Sequence, residues 1–238
     1  MKKIFFLLAI LNLSFFAMAQ KQFVVDENAE PRTINGSFNV IEVSGGIDIY
    51  ISQSEKEEIA VSASEERFKE GIKIVVSGNV LKIYYDGEKR WYGRDKKLKA
   101  YISFKELQKI DASGASDIFV SGDIKASSLL LKLSGASDFK GAVMVTTLTL
   151  ELSGASDVNI NGTASVVNIE SSGASDVKGY DLTTDVCTAK ASGASDVNIT
   201  VNKELNAHAS GASDIFYKGS AVIKEVESSG SSTVKRRN

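Results

Sequence analysis

Six aspartates occupy matching places in six identical pentapeptides, Ser-Gly-Ala-Ser-Asp: Asp117, Asp138, Asp157, Asp176, Asp196 and Asp214. Carboxylates stacked about 5 Å apart repel unless they are hydrogen-bonded, hydrated or bridged by cations. Calcium prefers such oxygen clusters. The competing reading is an Asx-type corner, in which each carboxylate accepts backbone N–H groups at its own turn. The corner is favoured, because one Asp per coil leaves no facing row of carboxylates to complete a calcium cage. The serine before each Asp (Ser116, Ser137, Ser156, Ser175, Ser195, Ser213) and the lone His208 hold the residue types of a nucleophilic triad. A triad needs one oriented base, however, and nothing in six identical copies distinguishes one serine. His208 lies three residues before Gly211, on an outward track where other coils carry Lys or Glu, and reads as a surface histidine. With one His and one Cys, neither a His/Cys zinc site nor an internal disulfide can be built. Cys187 falls on an inward track between Val167 and Leu205 and reads as a buried thiol. No catalytic residue, metal ligand or cofactor is assigned. The chemistry suited to binding sits between Tyr84 and Lys99, where Arg90, Trp91, Tyr92 and Arg94 offer aromatic rings flanked by guanidinium groups. That pairing suits stacking on a sugar or contact with a protein, and equally suits a hairpin tip with a half-buried Trp.

The elements that must position these residues follow from the repeat. The corner glycines are Gly114, Gly135, Gly154, Gly173, Gly193 and Gly211, followed by Gly230 in a degenerate seventh copy; their spacings are 21, 19, 19, 20, 18 and 19. A fixed period of this size means stacked supersecondary units. Two, four and six residues before each Gly the chain is apolar or small: Leu129, Leu131, Leu133; Leu148, Leu150, Leu152; Val167, Ile169, Ser171; Cys187, Ala189, Ala191. The intervening Lys132, Glu151, Glu170 and Lys190 are charged. This period of two predicts a strand with one buried face. Four residues after each Gly the apolar pattern resumes, with Ile118, Phe139, Val158, Val177, Val197 and Ile215, which predicts a second short strand after the corner. Helical periodicity is absent. A coil of about 19 residues with strands at fixed places winds into a parallel β-solenoid, single-stranded and β-helix-like, because no coil can bury its inner face alone. Where Ala189, Ala191, Ala207 and Ala209 replace Leu, either the stack narrows or the opposite wall supplies larger residues.

The rest of the chain extends this scheme. Residues 1–19 read as a secretory signal peptide: Lys2 and Lys3, an apolar run too short to span a bilayer, and Ala17-Met18-Ala19 before a cleavage point at Gln20. Removing it makes the chain two units more negative than its full-length net charge of −2. A balance of 28 basic and 30 acidic residues argues against a nucleic-acid partner. No stretch of the mature chain is apolar enough to span a membrane. Residues 20–35 form an N-terminal extension, and 36–106 a less regular β region that caps the stack. Within it Ser44-Gly45-Gly46-Ile47-Asp48 is a divergent first corner, 58–63, 72–77, 80–85 and 98–104 are strand-like, and Ser77-Gly78-Asn79 is a tight turn. Residues 107–234 are the repeat solenoid, and 235–238 a basic tail whose Lys235, Arg236 and Arg237 discourage edge-to-edge aggregation.

Several motifs together resemble a known family. They are Phe38, Ile41, Val43, Gly45 and Gly46 at the first corner, Leu81 and Ile83 in a strand, Tyr101, Ser103, Leu107 and Ile110, and then the Ser-Gly-Ala-Ser-Asp array. The pattern, over about residues 36–234, resembles the putative auto-transporter adhesin head GIN domain family of exported bacterial proteins. The resemblance implies a β-helix-like fold and an envelope or surface location, and the expected place of the exported chain is the periplasm, the outer-membrane surface or the extracellular space. It brings no catalytic residues. The sequence shows no C-terminal barrel segment and so reads as a head module rather than a whole auto-transporter. The functional expectation is a non-catalytic adhesin-like or envelope scaffold module that contacts glycan or protein through flat repetitive walls. The alternatives are a β-helix polysaccharide lyase or hydrolase, and a periplasmic structural or envelope-stress module without an external ligand. Homo-oligomerisation through end coils or walls is compatible with an open stack.

Overall fold

The computed structural model describes residues 24–87 and 96–238. The leader, and Arg90, Trp91, Tyr92 and Arg94, lie outside the described residues. The described chain is nearly all β, a parallel solenoid of about seven turns. Its strands are β1 (Glu30–Arg32), β2 (Val40–Val43), β3 (Asp48–Gln53), β4 (Glu58–Ser62), β5 (Ile72–Ser77), β6 (Val80–Tyr85), β7 (Lys99–Phe104) and β8 (Lys109–Ala112). The repeat region supplies β9 (Ile118–Leu133), β10 (Phe139–Leu152), β11 (Val158–Ser171), β12 (Asp176–Ala191), β13 (Asp196–Ala209), β14 (Asp214–Lys218), β15 (Val222–Ser228) and β16 (Thr233–Arg236). One short helix, α1 (Glu66–Gly71), interrupts the N-terminal region. Periodicity did not announce it: six residues are under two turns, too few for a helical stripe, and it is held by packing Phe68 into the core.

Within the repeats the register follows the period. Phe139 pairs with Val158, Leu150 with Ile169, and Cys187 with both Val167 and Leu205 in its neighbouring coils. The two strands expected per coil run on as one. β10 pairs along its whole length with β11, while the inward phase slips once, from Val143 and Val145 to Leu148, Leu150 and Leu152. The chain bends there without surrendering its ladder of hydrogen bonds. The core residues of β9 to β14, from Ile118 to Tyr217, are 0–7% exposed, so the interior is continuous through these strands. The alanine coils keep it filled from the other arm: Leu182 stands where the previous coil has Gly162, and Leu182, Val201 and Tyr217 are all buried.

The N-terminal region stacks out of chain order. β2 lies between β6 and β8, and β3 between β7 and β9, all parallel. The 69 residues separating Gly45 from Gly114 have length enough for three and a half coils. They supply one coil, from β6 and β7, and spend the rest closing the stack. β5 pairs antiparallel with β6 through the Gly78-Asn79 turn, β4 antiparallel with β7, and β1 antiparallel with β4. Antiparallel strands stop the parallel ladder from offering another rung at this end.

Candidate functional site

Each repeat corner is built the same way. The glycines hold φ between +75° and +85°, a left-handed conformation that side chains resist. They also lie directly on the corner before: Ala155 N–H donates to Gly135 O at 2.7 Å, and a Cβ on Gly154 would sit 2.5 Å from that oxygen. The corner therefore excludes side chains twice over, by backbone conformation and by space.

The aspartates bond between coils rather than within their own turn. The Asp117 carboxylate accepts the N–H of Asp138 at 3.2 Å, Asp138 that of Asp157 at 3.1 Å, and Asp157 that of Asp176 at 3.3 Å. Asp48 in the first corner does the same for Asp117, and Asp196 for Asp214. The Asx-turn expectation had the right acceptor and the wrong donor, because in a parallel stack the Asp N–H points along the axis toward the preceding coil. Stacking has an electrostatic cost. Burial, with the neighbouring Asp138 charge, raises the pKa of Asp117 against the lowering effect of its hydrogen bond; burial, with Asp176 and Asp214, does the same for Asp196. Lys178 offsets part of this by pairing with Asp157 at 2.8 Å.

The second serine of the motif is the residue that pattern reading missed. Ser116, Ser137, Ser156, Ser175, Ser195 and Ser213 are all 0% exposed. Their hydroxyls satisfy buried backbone groups at the corner: Ser137 Oγ accepts from Ser116 N–H at 3.2 Å, Ser175 Oγ from Ser156 N–H at 3.2 Å, and Ser195 Oγ donates to Ser192 O at 2.7 Å. They are interior plumbing of the turn and are not placed to act as nucleophiles. The signal was present, since two residues after each Gly continues the inward phase of four and six.

Cys187 is buried among apolar neighbours, and burial pushes its thiol up to about 12, which leaves no reactive thiolate. His208 lies on the outward track, with Nδ1 3.1 Å from Glu227 and Nε2 3.8 Å from Glu225. These three form the one group of metal-ligating side chains among the described residues whose donor atoms all fall within 4.8 Å of one another. One imidazole nitrogen and two carboxylate oxygens suit a borderline divalent cation. In the structure Nδ1 lies within hydrogen-bond distance of Glu227, and Nε2 faces Glu225 from farther away.

A concave surface runs along the stack. A groove of about 870 Å³ has one rim of long side chains (Lys132, Glu151, Glu170, Lys190, His208, Glu227) and one of corner serines (Ser153, Ser172, Ser192, Ser210, Ser229). The registers place each rim residue beside its counterpart in the next coil. The charged rim continues toward the N-terminal end through Asp111, Glu42 and Lys82, where a smaller hollow of about 370 Å³ shares the same serine track at Ser44 and Ser113. Three charge pairs form along the rim: Lys132 with Glu151 at 3.5 Å, Glu170 with Lys190 at 3.3 Å, Glu42 with Lys82 at 3.3 Å. Several rim serines donate backwards to the preceding coil, as Ser172 does to Leu152 O at 3.1 Å, leaving their oxygen lone pairs for the groove. No helix of the described residues is long and apolar enough to cross a membrane.

Solved structures share this architecture. A putative adhesin from Bacteroides fragilis matches with a TM-score of 0.81 at 23% identity, over 89% of this chain and 98% of that one. A putative lipid binding protein from Parabacteroides distasonis matches at 0.67 and 19% identity, over 90% and 98%. A putative adhesin from Parabacteroides merdae matches at 0.64 and 20%, over 88% and 95%. Identities this low carry the fold alone. No curated protein matches the sequence. Residues 37–221 do match the family described as "Putative auto-transporter adhesin, head GIN domain", and on that match, which spans most of its length, the chain belongs to this family.

Proposed function

We propose that the protein is an exported, non-catalytic, adhesin-like module whose axial groove holds an extended, hydroxyl-rich glycan. The observation that carries this reading is the pairing of the two rims. The charged rim sets two lysines against three glutamates and pairs Lys132 with Glu151 and Glu170 with Lys190, so it offers little net charge to a polyanion or a polycation. In the serine rim Ser172 and Ser192 direct their hydroxyl protons to the preceding coil and present acceptors to the groove, which suits a ligand that brings donors. A glycan brings hydroxyl donors along its whole length. Equivalent contacts recur roughly every 4.8 Å along the groove, so each can be weak while the sum is appreciable. Family membership supports the adhesin-like reading and export. Arg90, Trp91, Tyr92 and Arg94 fall between β6 and β7 in the sequence, and we propose them as a second contact.

The enzyme reading has one observation in its favour: Glu151 and Glu170 are register partners on adjacent coils of the groove. Retaining glycosidases use two carboxyl groups about 5–5.5 Å apart. Against it, the Glu151 and Glu170 side chains are 41% and 65% exposed and are paired with Lys132 and Lys190, and a general acid needs a shielded carboxyl that keeps its proton.

A glycan array on the mature protein, followed by titration of the best ligand at low and high salt, tests the proposal. Binding should be nearly independent of salt, should weaken for Ser172→Val and Lys190→Ala, and should leave the glycan uncleaved. Binding confined to charged polymers and abolished by salt would overturn the groove reading, and release of shortened chains would establish the enzyme. Protease shaving of intact cells separates a surface location from a periplasmic one.

A further inference from the structure

The two ends of the stack are finished differently, and the difference points to a partner. At the N-terminal end the antiparallel strands β1, β4 and β5 close the ladder, and Phe68 and Ile72 cover the interior. At the other end the last described rung is open. β15 pairs with β13 on one side, yet all seven of its residues are exposed. Its side chains nevertheless continue the interior tracks: Ile223 follows Leu205 and Val226 follows Ala207. Leu205 and Ala207 are 0% exposed, whereas Ile223 and Val226 are each 44% exposed and Val222 is 61%. A core cross-section therefore lies open, bordered by strand edges with unused hydrogen-bonding groups.

The charges around this opening are divided by arm. β15 carries Glu225 and Glu227, with side chains 57% and 71% exposed. Lys224, the one cation of β15, turns back onto Glu204 of its own chain. The opposite arm ends with Lys235, Arg236 and Arg237, and Arg237 is held in place over the Phe216 ring at 3.9 Å. We infer that the open rung docks on the same rung of a second copy of this chain, about a two-fold axis that lays the acidic β15 of each protomer against the basic β16 of its partner. A two-fold contact must be self-complementary, and a rung with one acidic and one basic arm is so when the axis exchanges the arms. The pairing joins the apolar interiors of the two stacks, supplies partners for both strand edges, and meets the groove only at its last rung, where Glu227 and Ser228 line it.

Sedimentation equilibrium on the mature chain should give twice the protomer mass in the micromolar range. Glu225→Lys with Glu227→Lys should abolish the dimer, as should Lys235→Glu with Arg237→Glu, because each pair of changes makes both arms alike. An equimolar mixture of the two variants should recover a one-to-one heterodimer, since each then offers what the other lacks. Circular dichroism checks that both variants stay folded. For the unaltered chain, amide exchange in β15 and β16 should slow as protein concentration rises, with no change in β10. A wild-type protein that stays monomeric, variants that still dimerise, a mixture that gives no heterodimer, or exchange that is independent of concentration would each overturn the inference.

Discussion

At the scale of single residues, the stacked aspartates are a compromise between hydrogen bonding and charge. Asp117 must remain an acceptor for Asp138 N–H, but ionised it sits partly buried beside another carboxylate. Its pKa is raised in the folded state, so ionisation costs stability: the favourable state is complete below the ordinary carboxylate value and is lost as pH rises through the raised one. Asp117→Asn keeps an oxygen acceptor and removes the charge. It should therefore raise the melting temperature at neutral pH, and the gain over the wild type should vanish as pH falls below about 4, the ordinary carboxylate value. A variant that is less stable at pH 7 would show that the carboxylate is wanted for itself, as in cation binding. Asp26 has the opposite sign. Burial pushes its pKa up, but hydrogen bonds with Lys99, Ser62 and Tyr101 together hold it below the ordinary value, so its contribution is present above that value and disappears in acid. The wild-type acid profile mixes both signs, and only the difference between variant and parent isolates Asp117.

At the scale of the element, the corner is what converts a repeating sequence into a stack. Gly154 and Gly78 both adopt positive φ, +82° and +63°, yet their surroundings differ. A Cβ at Gly78 would meet nothing within 4 Å, whereas at Gly154 it would press on the backbone oxygen of Gly135. Gly78→Ala should cost only the left-handed penalty of about 1–2 kcal/mol. Gly154→Ala should cost clearly more in urea denaturation, because the two coils must also separate; equal losses would refute close stacking at the corner. The glycine spacing and the alternation of Leu148, Leu150 and Leu152 made coil, inward face and register legible from the chain alone, since sterics and burial act there on local sequence. The placement of β2 between β6 and β8 was not legible. It depends on a long excursion that returns to an earlier rung, and no local period encodes that. The groove was half legible: alternation put Lys132, Glu151, Glu170, Lys190 and His208 outward and in line, but which neighbours pair, Lys132 with Glu151 and Glu170 with Lys190, is set by side-chain conformation that no local pattern encodes.

For the whole molecule, a solenoid is stabilised rung by rung, each coil held chiefly by the two beside it. Interior coils have neighbours on both faces, the N-terminal coil has an antiparallel cap, and the β15–β16 rung has a neighbour on one face only. Local stability should follow that count. In native-state hydrogen exchange on dilute protein, amides around Leu150 and Ile169 should open only with global unfolding. Those of β13 should open more readily, and those of β15 most readily of all. The gradient should be steep toward the C-terminal end and shallow toward the capped end, because β4, β5 and the buried Phe68 and Ile72 complete the interior there. Uniform protection would mean that the stack unfolds as one cooperative block. A gradient of the opposite direction would mean that the antiparallel cap, with its irregular order of strands, is the weaker end. The asymmetry also bears on binding, since a ligand lying along the groove crosses every rung from Lys132 to Glu227 and ties the frayed end to the stable middle. Saturating glycan should therefore slow exchange most in β13 and β15, far from the coils that are already protected.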